Sequence, residues 1–187
     1  MQDDIQAAID KASSQMDQAI DHLEKELQRL RTGKASPSLV SGIMVDYYGS
    51  PTPMSQVANI STVDSRSISI QPWEKTLVPA IEKAIFESNI GLTPQSDGES
   101  VRINIPPLTG ERRVELAKQA KALGEDAKVS IRNARRDANN LISREVKEGF
   151  PEDQAKGKEK LVQDLTDKHS KKVEETVVAK EKDIMTI

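Results

Sequence analysis

Apolar residues follow a helical spacing at both ends of the chain and a strand-like alternation in the middle. A first amphipathic helix should run from about residue 3 to residue 31, because apolar residues recur there at steps of three and four: Ile5, Ile9, Ala12, Met16, Ile20, Leu23, Leu27 and Leu30. A second should begin near Thr109 and reach about Glu148, on the stripe Leu116, Ala120, Leu123, Ala127, Ile131, Ala134, Ala138 and Leu141. After the break at residues 149–151, a third helix carries Val162, Leu165, His169, Val173, Val177 and Ile184.

The segment between the first two helices predicts short strands and one short helix. Strands are expected at residues 43–47 and 67–70 and again from Val101 to Ile105, where apolar residues alternate with polar ones. A helix is expected at residues 75–88. Residues 48–53 and 96–99 are rich in glycine, proline and polar residues, which favours turns. We expect the single tryptophan, Trp73, to cap the core of this small domain.

A helix with one apolar stripe must bury that stripe, and the first helix finds partners of its own length only at the far end of the chain. The ends should therefore form a three-helix bundle of residues 1–32 and 106–187. Residues 33–105 would then be an inserted β/α/β domain. The predicted fold class is α+β, with two domains joined by two neighbouring segments of backbone near Gly33 and Pro106-Pro107.

Composition excludes several classes of protein. The chain has no cysteine, which excludes disulfides, thiolate metal sites and cysteine nucleophiles. No run approaches the ~18 apolar residues of a membrane span, and the first residues lack the pattern of a signal peptide, so we expect a cytoplasmic protein. No set of His, Asp and Glu has the spacing of a metal site, and no nucleophile motif is present. We therefore expect neither an enzyme nor a cofactor, and we expect His169 to be a packed residue.

The second helix has a basic sector although the whole chain has a net charge of −3. Six cations fall within about a third of the helix circumference, away from its apolar line: Lys118, Lys121, Lys128, Arg132, Arg135 and Arg136. A solvated helix face is the ordinary explanation of such a run. The clustered arginines favour instead a contact with the phosphates of a structured nucleic acid, because guanidinium groups bind phosphate in a bidentate manner.

Four segments in order along the whole chain resemble the bacterial ribosome recycling factor family. They are residues 30–37 (LRTGKASP), 47–53 (YYGSPTP), 106–109 with 111–113 (PPLT and ERR) and 132–138 (RNARRDA). The resemblance implies an L-shaped pair of domains, a three-helix bundle and a β/α/β insert on a two-stranded hinge. It also implies a factor that binds ribosomes after termination and, with elongation factor G and GTP, splits them into subunits and releases mRNA and tRNA.

The resemblance further implies where this chain makes its contacts. The bundle would lie on the 23S rRNA of the large subunit near the A and P sites, with the family's rRNA contact at Arg132. Arg29, Arg31 and Lys128 would be further contacts. The hinge would consist of Arg31, Thr32, Gly33, Ile105, Pro106 and Pro107. The partner, and not this chain, would supply the GTPase activity.

A second hypothesis from the residues alone is a coiled-coil adaptor that binds a protein partner through its helices. In that case the basic sector would be merely solvated, and binding would depend little on salt. Under either hypothesis we expect a monomer, because the bundle is closed within one chain.

Overall fold

The computed structural model describes residues 2–30 and 32–186. The chain divides into two compact units, Met1–Arg31 with Gly110–Ile187 and Thr32–Thr109. The first unit is helical and the second contains the strands, which confirms the predicted α+β fold class with two domains. The domain bounds predicted from the sequence, after residues 32 and 105, stay a prediction. No helix in the described part of the chain is both long and apolar enough to cross a membrane.

The first unit consists of three long helices, α1 (Gln2–Arg29), α3 (Gly110–Lys147) and α4 (Glu152–Met185). Seven of the eight residues predicted for the stripe of α1 are buried, and only Leu30, just past its end, is half-buried. Lys158 donates to Gln6, and His169 contacts Asp17, so α1 and α4 run in the same direction. The pairs Lys128–Glu174 and Arg135–Gln163 show that α3 runs opposite to α4. The three helices bury their stripes against one another, as expected for a bundle.

The buried line of α3 differs from the predicted stripe near its two ends. Gly124 is buried where Leu123 was expected, and Ile142 is buried where Leu141 was expected; both leucines are half-buried. The reason lies in the packing against α4. A Cβ atom at position 124 would lie 2.6 Å from Cγ2 of Val177, so the two helices approach closely because this residue has no side chain. Hydropathy alone favours a leucine over a glycine at such a position.

Polar side chains also fasten the helices together. The ring of His169 is buried, with Nδ1 2.6 Å from the carbonyl oxygen of Leu165 and Nε2 2.7 Å from Oδ1 of Asp17. Where α4 ends, the guanidinium of Arg113 donates to the carbonyl oxygens of Ile184 and Thr186, at 3.0 and 3.2 Å. These two carbonyls lie at the end of α4, where backbone acceptors lack helical partners.

The second unit holds two antiparallel sheets and one α-helix. The hairpin β1 (Met44–Tyr47) and β2 (Ser50–Pro53) is separate from a four-stranded sheet of order β3-β4-β6-β5. Its strands are β3 (Ala58–Asp64), β4 (Ser67–Pro72), β5 (Pro94–Ser96) and β6 (Val101–Asn104). Helix α2 (Val78–Glu87) follows the 3₁₀ turn Lys75–Leu77. Apolar side chains from the strands and α2 form one core, in which Val45, Met54, Ile68, Ile70, Ile81, Val101 and Ile103 are fully buried.

Two expectations for this unit were wrong, and the strands β3 and β5 were not predicted. The turn expected at residues 48–53 is shorter and consists of Tyr48 and Gly49 alone. Both residues have the positive φ of a two-residue hairpin turn, 50° and 84°. The remaining residues, Ser50–Pro53, form β2. The strand β3 was not predicted, because its last residues are exposed and show no alternation. Trp73 does not cap the core: it is 68% exposed.

The close approach of α3 and α4 leads to a first prediction. Gly124→Ala should lower the free energy of unfolding by about 1–2 kcal/mol, because a methyl group pressed onto the stiff side chain of Val177 overpacks the interface. Gly157→Ala in α4 is the matched control: open space surrounds it, so the better helix former should raise stability by about 0.5–1 kcal/mol. Urea unfolding measures both. Equal effects would contradict the close approach, and Val177→Ala should partly rescue Gly124→Ala.

A second prediction concerns the contact between α1 and α4. A double-mutant cycle of His169→Leu and Asp17→Ala should give a coupling free energy of about 1 kcal/mol, because the buried ring bonds a carboxylate on the neighbouring helix. The control cycle replaces Asp17→Ala with Asp21→Ala, one turn further along α1. Its two effects should add within about 0.5 kcal/mol. A cycle at Asp17 that is also additive would show that the contact contributes nothing.

Candidate nucleic-acid interface

Helix α3 carries the six predicted cations on one continuous element. It is 38 residues long without a break, so the axial distance from Lys118 to Arg136 is about 27 Å. Apolar residues centred about 110° away around the helix, among them Ala127, Ile131 and Ala134, bury α3 against the other two helices. The packing therefore turns the basic sector toward solvent and holds its residues at fixed spacing. We call Lys118, Lys121, Lys128, Arg132, Arg135 and Arg136 the basic face.

Four members of the basic face are exposed and have no acidic partner. Lys118, Lys121, Arg132 and Arg136 are all exposed, and within the described residues no carboxylate lies at ion-pair distance from any of them. Arg132 and Arg136 are one turn apart, which puts their Cβ atoms about 6 Å from each other. These four groups can therefore contact an external anion without first breaking an internal ion pair.

The two remaining members are tied to α4. The ammonium of Lys128 lies 3.1 Å from Glu174 and 3.8 Å from Glu125, and its side chain is only 26% exposed. Arg135 is half-buried and donates to Oε1 of Gln163 at 3.4 Å. Both side chains thus help to hold α3 against α4. The sequence grouped all six cations together because their angles around α3 do not show where α4 lies.

The predicted contacts outside α3 are Arg29, the last residue of α1, and Arg31. Arg29 is exposed and forms an ion pair with Glu26 at 3.0 Å, three residues earlier on the same helix. Because α1 and α3 run in opposite directions, Arg29 lies at the end of the bundle where α3 begins. Arg31 lies outside the described residues. Arg29 therefore lies toward the Lys118 end of the basic face. Its ion pair with Glu26 is a weak surface contact, which a phosphate contact could replace.

The described residues contain no group of three or more His, Cys, Asp or Glu side chains that could hold a metal ion. The two carboxylates nearest to the basic face, Glu125 and Glu174, are both occupied by Lys128. The arrangement of charges on α3 is suited to binding phosphate groups. Helix α3 also has no Phe, Tyr or Trp, so it has no ring on which a base would stack.

Comparisons with known proteins assign the chain to a family. The family described as "Ribosome recycling factor" matches residues 23–185. The chain is 51% identical to a ribosome-recycling factor of Phocaeicola vulgatus over 184 residues, which cover 98% of this chain and 99% of that one. It is 49% identical to one of Flavobacterium johnsoniae over the full length of both chains.

Solved structures give the same result. The solution structure of a ribosome recycling factor matches with a TM-score of 0.81 and 40% identity, and 98% of each chain is covered. A second match, with a TM-score of 0.64 and 36% identity, covers 97% of this chain and 99% of that one. It is the T. thermophilus ribosome recycling factor, bound with E. coli elongation factor G to the E. coli post-termination complex. Ribosome recycling factors are translation factors without enzymatic activity. This chain belongs to the ribosome recycling factor family.

Proposed function

We propose that this protein recycles ribosomes after termination. It binds the post-termination ribosome through the bundle, acts there with elongation factor G and GTP to separate the subunits, and so releases mRNA and tRNA. It works as a monomer in the cytoplasm. The observation that supports this most directly is the line of four unpaired cations on α3, in a chain that is about half identical to ribosome-recycling factors over nearly its whole length.

The contact with the large subunit is proposed at the basic face. Arg132 and Arg136 can each bind a phosphate oxygen pair, and their spacing of one helical turn suits two neighbouring phosphates. Lys118 and Lys121 extend the contact toward the start of α3, and Arg29 continues it on α1, with Arg31 as a further proposed contact. Because no aromatic residue lies on α3, the 23S rRNA near the A and P sites would be recognised through its backbone and shape.

Lys128 and Arg135 have a supporting role in this proposal. Each holds α4 beside α3 through a side chain of α4, Glu174 for Lys128 and Gln163 for Arg135. An rRNA phosphate that approached Lys128 would compete with Glu174, so this contact should contribute less than the one at Arg132. Both residues still add positive potential to the face.

Elongation factor G is proposed as the partner because a related recycling factor has been described together with it on a post-termination complex. That relative is 36% identical to this chain, and the match covers almost all of both chains. GTP hydrolysis belongs to the partner in this proposal. The simplest test is light scattering of post-termination ribosomes. Scattering should fall only when this protein, elongation factor G and GTP are all present.

The hinge is proposed at Arg31, Thr32 and Gly33 and at Ile105, Pro106 and Pro107, a few residues or fewer from the two bounds between the units. Within the second unit both passing segments are fastened to the same turn between β3 and β4. The N–H of Ala35 donates to the carbonyl of Ser65 at 2.8 Å, and that of Ile105 donates to the carbonyl of Arg66 at 2.7 Å. Motion is therefore restricted to the few residues before Ala35 and after Ile105.

A coiled-coil adaptor remains the competing function, and salt dependence separates it from rRNA binding. A phosphate contact releases counterions, so the affinity for ribosomes should fall steeply with salt, by about 0.9 log unit per log unit of salt for each phosphate on a duplex. A contact between apolar helix faces would change little over the same range. Ribosome binding that is insensitive to salt would favour the adaptor.

Charge reversal at Arg132 is the third prediction. Arg132→Glu should weaken binding to large subunits by about fivefold to a hundredfold, which corresponds to a lost charged contact of about 1–3 kcal/mol, and should reduce the salt dependence. Binding can be followed by co-sedimentation of the labelled protein with large subunits. The matched control is Arg144→Glu, which changes the net charge equally but lies about 120° away around α3. Equal losses in the two variants would contradict a contact at the basic face.

The fourth prediction concerns the hinge. Gly33 has a φ of 75°, and a Cβ there would lie 3.0 Å from Cγ of Leu108 in the second connecting segment. Gly33→Ala should therefore slow subunit splitting severalfold and leave ribosome binding nearly unchanged. Gly98→Ala is the matched control, because Gly98 has a similar φ of 89° but open space around it. Equal splitting rates for the two variants would contradict a hinge role for Gly33.

A further inference from the structure

Three of the five aromatic residues of the chain lie together in the second unit, around one carboxylate. The hydroxyl of Tyr47 donates to Oε1 of Glu74 at 3.2 Å, and that of Tyr48 donates to Oε2 at 2.7 Å. The rings of the two tyrosines meet edge to face, with centroids 4.8 Å apart. Trp73 precedes Glu74 directly. In a chain with only 3% aromatic residues, this cluster is the main concentration of aromatic surface.

The cluster borders a cleft of about 270 Å³ with walls of mixed chemistry. Tyr47 and Trp73 line it together with the buried apolar residues Val57 and Leu77. Polar groups come from three further lining residues, Thr52, Gln56 and Glu74. A cleft with apolar surface, aromatic faces and one carboxylate suits a long side chain that has an apolar stem and a cationic head.

Glu74 has no counter-ion among the described residues. Its two oxygens accept only the tyrosine hydroxyls, and the residue is half-buried. The neighbouring Lys75 is engaged elsewhere, because its ammonium forms an ion pair with Glu99 at 2.8 Å. The hydrogen bonds to Glu74 and its charge raise the pKa of both tyrosines, so the two hydroxyls stay protonated and donate to the carboxylate. An external cation would supply the missing charge.

The fold holds these groups in place before any ligand arrives. Trp73 follows β4 directly, and its N–H donates to the carbonyl of Val57 at 3.2 Å. The carbonyl of Glu74 accepts from the N–H of Leu77 at 3.0 Å. Tyr48 is 78% exposed and has a φ of 50°, a conformation that the two-residue hairpin imposes on it. The backbone of this region is thus set by the strands and turns.

We propose that this cleft binds an arginine side chain presented by a protein partner. The guanidinium stacks on Trp73 and pairs with the carboxylate of Glu74, while the aliphatic stem lies on Val57 and Leu77. Arginine fits better than lysine because its planar head can stack on a ring and bind a carboxylate at the same time. Trp, Tyr and Arg are also the residues that contribute most to binding energy at protein interfaces.

A nucleic acid is the less suitable occupant. Exposed rings can stack on bases, but a carboxylate without a counter-ion repels the phosphates that accompany them. The basic face on α3 has the opposite charge and belongs to the other unit. The proposed cleft is therefore a separate docking site for protein, and it does not depend on the rRNA contact proposed above.

The test uses Trp73 as an intrinsic reporter, because it is the only tryptophan of the chain. The full-length protein is titrated with the peptide acetyl-Gly-Arg-Gly-amide at constant ionic strength, and its fluorescence is recorded. We expect a saturable change with a dissociation constant in the millimolar range. The same peptide with citrulline, a neutral analogue of arginine, should bind at least about fivefold more weakly, as expected for a lost charged contact of about 1 kcal/mol.

Two variants complete the test. Glu74→Gln keeps one acceptor oxygen for a tyrosine hydroxyl and removes the charge, so it should weaken binding of the arginine peptide at least about fivefold. Glu87→Gln removes an exposed charge on α2 and should have no effect. The proposal is overturned if the fluorescence does not change, or does not saturate, up to a peptide concentration of 50 mM, roughly the weakest dissociation constant that one side chain supports. Equal binding of the arginine and citrulline peptides would also overturn it. It is also overturned by equal losses in both variants, or by stronger binding of the trinucleotide UpUpU.

Discussion

The 28-residue helix α1 needs long apolar partners, and this requirement determines the path of the whole chain. Its stripe from Ile5 to Leu27 is buried by α3 and α4, which come from the other end of the sequence. Each buried Ile, Leu or Met side chain contributes about 1.5–3 kcal/mol, so a separated α1 would not stay folded. The middle of the chain must therefore leave the bundle after α1 and return to it before α3.

The same packing produces the proposed rRNA interface. One side of α3 is used for the core, so the exposed cations beside that side project from one continuous helix at fixed spacing. A flexible basic segment would lose more conformational entropy on binding to a large structured RNA than a set of cations on a helix that is already ordered. The packing also divides the basic face, because Lys128 and Arg135 turn toward α4 and the exposed Arg132 does not.

The second unit shows how a small domain can carry exposed aromatic residues. Its core is formed by aliphatic side chains and Met54, so the aromatic residues are not needed to fill it. Tyr47, Tyr48 and Trp73 lie instead beside the hairpin and the end of β4, where Glu74 organises the two tyrosines. An exposed tryptophan contributes little to the stability of the fold. The position of Trp73 beside Glu74, which has no counter-ion among the described residues, is therefore more consistent with binding a partner than with folding.

Several features were determined by the sequence alone. Periodicity identified the three long helices and the stripe of α1, because a buried face on an isolated element leaves a regular apolar pattern. The four motif segments indicated the family, which the comparisons then showed. The strand β3 left no such pattern, since most of its residues are exposed. Only the tertiary structure decided that Gly124 and not Leu123 faces Val177, that Lys128 is paired, and that Trp73 is exposed. Each of these depends on distances between residues far apart in the chain, which a local pattern does not contain.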